Sequence, residues 1–131
     1  MDDRLKLALD HFDRAHARLM EALAQPEDDF MRDAVIQRFE FTFEAGWKAA
    51  YRWLRIRGVD VDEDAYSVIP EAFKRRVISD EAVWGQMRKF RNLTSHTYNE
   101  ITAIQVAAFV RQDGARVLGD LLMVLKARAD E

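Results

Sequence analysis

The chain has 131 residues, no cysteine, and 20 Lys and Arg against 23 Asp and Glu, for a formal net charge of −3. That length predicts one domain able to bury a core unaided; the lack of cysteine excludes a disulfide framework and a thiolate metal site; the charge balance argues against coating nucleic acid by bulk attraction. No apolar run is long enough to span a membrane, and Met1-Asp2-Asp3-Arg4 lacks the basic-then-apolar layout of a secretion signal, so a soluble cytoplasmic protein is expected.

With only five glycines and two prolines, the apolar spacing is helical almost throughout. A first helix is predicted from about Asp3 to Ala24, with Leu5, Leu9, Phe12, His16, Leu19 and Leu23 as a heptad-like stripe and Pro26 as its stop. A second runs from about Asp28 to Arg57. Val35, Phe39, Phe43 and Trp47 step by four along one face, Ala50 and Leu54 extend it, and Gly58 terminates it. At ~1.5 Å per residue it would reach ~45 Å and form the spine of the fold.

The acidic stretch from Val59 to Tyr66 reads as a loop. Ser67 is expected to cap a short helix to about Val77, with Pro70 in its first turn. Ser79 or Asp80 caps a fourth helix carrying Val83, Trp84, Met87 and Phe90. The last helix is expected to begin between Thr97 and Asn99, where Thr97-x-x-Glu100 has the form of a capping box, and to run to about Arg128 with the stripe Ile104, Ala108, Ala115, Leu118, Leu122 and Leu125. Val117, Leu121 and Val124 lie off that stripe, so the helix is apolar on more than one face. A homodimer would cover the second face, as would burial within the chain's own bundle; the dimer is preferred here. The predicted architecture is all-α: an up-and-down four-helix bundle with one extra short helix over residues 1–131.

The stretch Arg91-Asn92-Leu93-Thr94-Ser95-His96-Thr97-Tyr98 sits between the fourth and fifth helices. It sets a permanently charged phosphate binder near a side chain of a type that titrates near neutrality. At ~100° per residue, Arg91 and His96 would point ~140° apart in an unbroken helix, and Arg91 and Tyr98 only ~20° apart. Arg91 and His96 therefore meet on one ligand only if the helix breaks between them or two subunits each contribute. Asn92, Thr94 and Ser95 loosen a helix end by bonding to backbone, so the break is expected near Ser95 or His96. The plain alternative is a C-terminal cap in which Arg91 and His96 complement the helix dipole.

The same segment resembles the signature of HEPN domains: Arg, a polar residue, three variable residues, then His, met by Arg91, Asn92 and His96. The branch that pairs with minimal nucleotidyltransferases adds a Tyr two residues later, met by Tyr98. The run Asp33-Ala34-Val35-Ile36-Gln37-Arg38-Phe39-Glu40-Phe41-Thr42-Phe43-Glu44, then Trp47-Lys48, is similar to the nucleotidyltransferase substrate-binding branch of that group. The resemblance implies a HEPN-like homodimer, a minimal nucleotidyltransferase as partner, and RNA or a nucleotide as ligand. It implies metal-independent RNA cleavage by His96 and Arg91 with help from Asn92, and Tyr98 as acceptor of AMP. No cofactor and no metal are expected.

Other polar residues carry open alternatives. Glu40, Glu44 and Lys48 step by four and form either an intrahelical ion-pair ladder or, for the two carboxylates, supports that orient Arg91 or His96. Ser95 is a further candidate support. His16 reads as a hydrogen-bonded core or interface histidine and His11 as a surface one. Arg111 either pairs with an acid or serves as a second cleft arginine. Trp47, Trp53 and Trp84 read as core, and Lys74-Arg75-Arg76 and Arg88-Lys89 as local basic patches.

Overall fold

A computed structural model describes residues 1–131, and every regular element in it is helical. The helices are α1 (Asp3–Leu23), α2 (Asp29–Ile56), α3 (Ala65–Lys74), α4 (Glu81–Thr94), α5 (Glu100–Phe109) and α6 (Ala115–Ala127). A π-helical turn, Val110–Gly114, joins α5 to α6 into one rod. Four long elements and the short α3 thus give the expected all-α bundle.

An Asp or Asn caps each helix that starts from a loop. Asp2, Asp28, Asp64, Asp80 and Asn99 accept from the backbone N–H of Leu5, Met31, Ser67, Val83 and Thr102 at 2.7–3.1 Å. Each such cap contributes about 1 kcal/mol by pairing an N–H the helix leaves open. Two caps differ from the sequence reading. Asp64 rather than Ser67 opens α3, which places Pro70 in its second turn. α5 opens within the expected range, but at Asn99, so the capping box from Thr97 does not form. In both cases an Asx side chain stands within one helical turn of the residue expected and accepts an N–H of the first turn in its place.

Gly58, at φ 78°, closes α2. The Val59 N–H returns to the Leu54 carbonyl at 3.1 Å and the Gly58 N–H to Arg55 at 3.0 Å. Arg76 (φ 60°) plays the same part after α3, with Val77 N–H bonded to the Ala72 carbonyl at 2.9 Å.

The stripes on α1 and α2 form the core: Leu5, Leu9, Phe12, Leu19, Val35, Phe39, Phe43, Trp47, Ala50 and Leu54 are all buried, as are Trp53 and Trp84. Gly46 lets the α1 side approach α2; a Cβ there would meet the Phe12 ring at 3.1 Å and Leu118 Cδ2 at 3.5 Å. His16 bonds the Ala115 carbonyl at 2.9 Å and ties α1 to α6. Phe90 and Phe109, with ring centroids 5.0 Å apart, join α4 to α5.

The last rod departs from the predicted stripe. Ile104 and Ala108 face solvent, while Ala103, Val106, Ala107 and Val110 are buried. The π turn inserts one extra residue, so the buried face steps by five from Ala115 back to Val110, and everything before it shifts in register. The argument for a dimer from Val117, Leu121 and Val124 is also overturned. Val117 and Leu121 are buried and Val124 half-buried within this chain, around a small cavity that Val77, Ile78 and Trp84 also line. Arg111 does neither thing expected of it: it donates to the Leu23 carbonyl at 3.0 Å and caps the end of α1. No helix is long and apolar enough to cross a membrane.

Gly46→Val is expected to destabilise the fold by about 1–3 kcal/mol, because the Phe12 ring has no room to move. Gly46→Ala should be milder, since its gain of up to ~1 kcal/mol in helix propensity offsets the contact. Urea unfolding of the two variants checks the order.

Candidate functional site

The Arg91–Tyr98 segment spans the end of α4 and the loop that leads to α5. Arg91 lies in the last turn of α4, where a cation complements the helix dipole. Its side chain is three-quarters buried, with the guanidinium against two carboxylates of α2. Nη1 donates to Glu40 Oε2 at 2.8 Å, and Nε lies 3.3 Å from Glu44 Oε1, an ion-pair contact not aligned as a hydrogen bond. Glu44 Oε2 accepts from the Trp47 indole at 3.0 Å, and Glu40 Oε2 also accepts from the buried Thr94 hydroxyl at 3.1 Å. The result is one chain of contacts, Trp47–Glu44–Arg91–Glu40–Thr94. The i, i+4 ladder is absent: Lys48 makes no ion pair with either glutamate and sits 5.8 Å over the Trp47 ring.

The helix breaks where expected, with Thr94 its last residue and Ser95 its C-cap. Hydroxyls cap it, not the histidine. Thr94 Oγ1, 3.3 Å from the Arg91 carbonyl, shares its one proton between that oxygen and Glu40, and Ser95 Oγ donates to the Asn92 carbonyl at 2.7 Å. His96 is exposed and makes no side-chain hydrogen bond. The cap reading therefore fits Arg91, a cation in the last turn, while the imidazole of His96 makes no hydrogen bond to the helix end.

A cleft of about 240 Å³ between α2, the α2–α3 loop and α4 is lined by Arg91 and Asn92, together with Tyr66 and Arg88. His96 does not line it. A second depression, lined by Asp29, Arg32, Asp33, Asn99 and Glu100, contains Tyr98. The helix break carries Tyr98 off the Arg91 face that unbroken periodicity implies. Its half-buried phenol is pushed above its ordinary range first by burial, then by the negative charges of Asp33 and Glu40. Glu40 thus bears on both halves of the motif, paired with Arg91 and acting electrostatically on Tyr98.

Sequence reasoning gave Thr94 only a part in ending the helix and missed its bond to Glu40, although its place three residues after Arg91 puts it on the same helix face. It also missed Tyr66, whose exposure and partnership with Arg88 leave no trace in periodicity.

Four similarities bear on this arrangement. The family described as nucleotidyltransferase substrate binding protein-like matches residues 7–126. A probable ribonuclease HepT of Haemophilus influenzae is 31% identical over 119 residues, 79% of this chain and 82% of that protein. A crystal structure of a Thermus thermophilus protein is similar at 34% identity and a TM-score of 0.78, over 88% of this chain and 98% of that one. A tri-AMPylated HEPN toxin of Shewanella oneidensis, in complex with an MNT antitoxin, has a TM-score of 0.78 over 97% and 99% of the two chains at 18% identity, a likeness of fold.

Glu40→Ala should cost about 1–3 kcal/mol, since it strips Arg91 and Thr94 of a shared charged acceptor. In a double-mutant cycle with Arg91→Ala, the two losses should fall short of additivity by more than ~0.5 kcal/mol. Tyr98 yields a pH dependence. The folded state holds the phenol proton more tightly than the unfolded chain does, so the stabilisation is complete below about pH 10 and is lost as pH rises through the folded value. Stability measured against pH should fall more steeply above pH ~10 in the parent than in Tyr98→Phe.

Proposed function

The chain belongs to the family of nucleotidyltransferase substrate-binding-like proteins and is HEPN- and HepT-like, and from that premise we propose that it is the HEPN partner of a minimal nucleotidyltransferase in a two-component, toxin–antitoxin-like pair. In this reading it is a metal-independent endoribonuclease, and transfer of AMP to Tyr98 silences it. The observation that carries the reading is the division of labour in the motif: Arg91 is fixed between Glu40 and Glu44, while His96 beyond the helix end is left unbonded.

Neutral His96 takes the proton from a ribose 2′-hydroxyl as that oxygen attacks the adjacent phosphate. The 5′-oxygen leaves and takes a proton from water, while the imidazolium returns its proton to solvent, giving a 2′,3′-cyclic phosphate. Arg91 meets the phosphate oxygens as charge builds on them. Two of its three nitrogens face carboxylates, which leaves Nη2 for the ligand. The carboxylates offset its charge but restrict its movement, so little order is lost when the phosphate binds. Asn92, exposed beside Arg91, supplies an amide donor. DNA lacks the attacking hydroxyl and is not cut.

A homodimer is part of the proposal. His96 does not line the cleft that Arg91 and Asn92 share within one chain, and a second copy would complete it. Exposed Phe30 and Phe41 on α2 and Leu7 on α1 offer apolar surface for such a contact. The same separation of His96 from the cleft favours a second reading, a non-catalytic subunit that grips nucleotide phosphate for the transferase.

RNA incubated with the unmodified protein and a chelator separates the two. The ribonuclease reading expects cleavage, reduced by a factor of roughly 10²–10⁴ in His96→Ala and comparably in Arg91→Ala. No cleavage by unmodified, dimeric protein leaves only the binding subunit. Mass spectrometry after incubation with the partner transferase and ATP should find AMP on Tyr98 and none on Tyr98→Phe.

A further inference from the structure

The cleft beside Arg91 holds two side chains that the proposed chemistry does not use. Tyr66, the second residue of α3, is 71% exposed, a large value for a tyrosine beside a groove. Arg88, on α4 one turn before Arg91, is half-buried and enters no ion pair; its guanidinium carbon lies 4.8 Å from the Tyr66 ring centroid. The acids of the same cleft are already engaged: Glu44 by Arg91 and Trp47, Glu63 by Arg52 at 3.8 Å, and Asp64 by the Ser67 N–H. What remains outside any ion pair is a largely exposed aromatic ring, the cation that rests over it, and the Asn92 amide, lining one cavity of about 240 Å³.

That set of groups matches an unpaired nucleotide. A base offers a π face to an aromatic ring whatever its identity, and its phosphate offers the anion that a half-buried, unpaired arginine lacks. A paired base cannot present its face, because its neighbours in the duplex cover it. The three tryptophans cannot serve: Trp47, Trp53 and Trp84 are all buried.

We propose that Tyr66 and Arg88 form a nucleobase shelf for single-stranded RNA. The base next to the bond to be cleaved stacks on Tyr66, Arg88 takes that nucleotide's outer phosphate, and the scissile phosphate reaches Arg91 and Asn92. The proposal rests on the ribonuclease reading above and supplies its substrate class, RNA that is unpaired at the cleavage site.

The test uses the full chain carrying His96→Ala, so that RNA is bound without being cut. A fluorescent single-stranded RNA oligomer is titrated by anisotropy, beside a series in which each nucleotide in turn is abasic. Tyr66→Ala should weaken binding of the intact oligomer roughly tenfold, and Tyr66→Phe, which keeps the ring, should restore it. At one abasic position the parent and Tyr66→Ala should bind alike. Arg88→Gln should weaken intact and abasic oligomers equally and lower the salt dependence of binding.

Equal binding of the intact oligomer by the parent and Tyr66→Ala overturns the shelf. So does a Tyr66→Ala loss that no abasic position abolishes, which reduces the pair to a clasp between α3 and α4. Binding of mononucleotide that depends on Tyr66, with RNA binding indifferent to it, overturns the RNA assignment. The two levels fail separately. If the native-His96 protein cuts RNA and Tyr66→Ala leaves KM unchanged, the shelf falls and the nuclease stands. If the native protein does not cut RNA, the nuclease falls, and the abasic series still reads the stacking.

Discussion

The contact on which the site depends is the Arg91 guanidinium held between Glu40 and Glu44. A three-quarters-buried cation without partners would cost several kcal/mol of desolvation. The two glutamates are one turn apart on α2, so both carboxylates reach the same point on the neighbouring helix. Thr94 and Trp47 satisfy much of the remaining hydrogen-bonding capacity of those carboxylates. Every partner of the arginine is thereby fixed by another contact, and the end of α4 is anchored to the longest helix of the bundle. The loop that follows, with His96 and Tyr98, leaves from that anchor.

Anchoring of this kind suits a phosphate-handling arginine better than a free one. A guanidinium in solvent has several rotatable bonds to order when a ligand arrives; one held at two nitrogens has already given up that freedom in folding. The compromise is electrostatic. Two carboxylates against one guanidinium leave the immediate surroundings negative, which repels phosphate at long range. Arg88, one turn back on the same helix and unpaired, restores positive charge at the mouth of the cleft.

Much of this was legible in the chain. The four-residue steps through Val35, Phe39, Phe43 and Trp47 identify the buried face of α2, and Gly58 marks its end because a left-handed residue is needed there. The helix break before His96 follows from Asn92, Thr94 and Ser95, whose side chains compete for backbone carbonyls. The partners of Arg91 were visible only as one of two options, since local spacing cannot tell an i, i+4 ladder from contacts to a different helix. The π turn at Val110–Gly114 was invisible for a related reason: an inserted residue is stabilised by the packing on either side of it, not by its own sequence. That one residue moved Ile104 and Ala108 out of the predicted core. The burial of Val117 and Leu121 depended likewise on where the α3–α4 corner comes to rest.

Tyr98 shows how the two halves of the motif can be coupled without touching. Glu40 binds Arg91 directly and its charge also bears on the Tyr98 phenol. On the proposed reading, an adenylate on Tyr98 would bring a phosphodiester charge towards a glutamate already engaged with the arginine. Two anions would then compete for one guanidinium. Arg91 could turn from Glu40 to the new phosphate, and the site would lose its phosphate binder to a ligand attached to its own chain. Steric blockage alone would require the adenylate to fill the RNA cleft, whereas Tyr98 lines a different depression from Arg91. On the proposed reading, competition through Glu40 would ask only for proximity of charge.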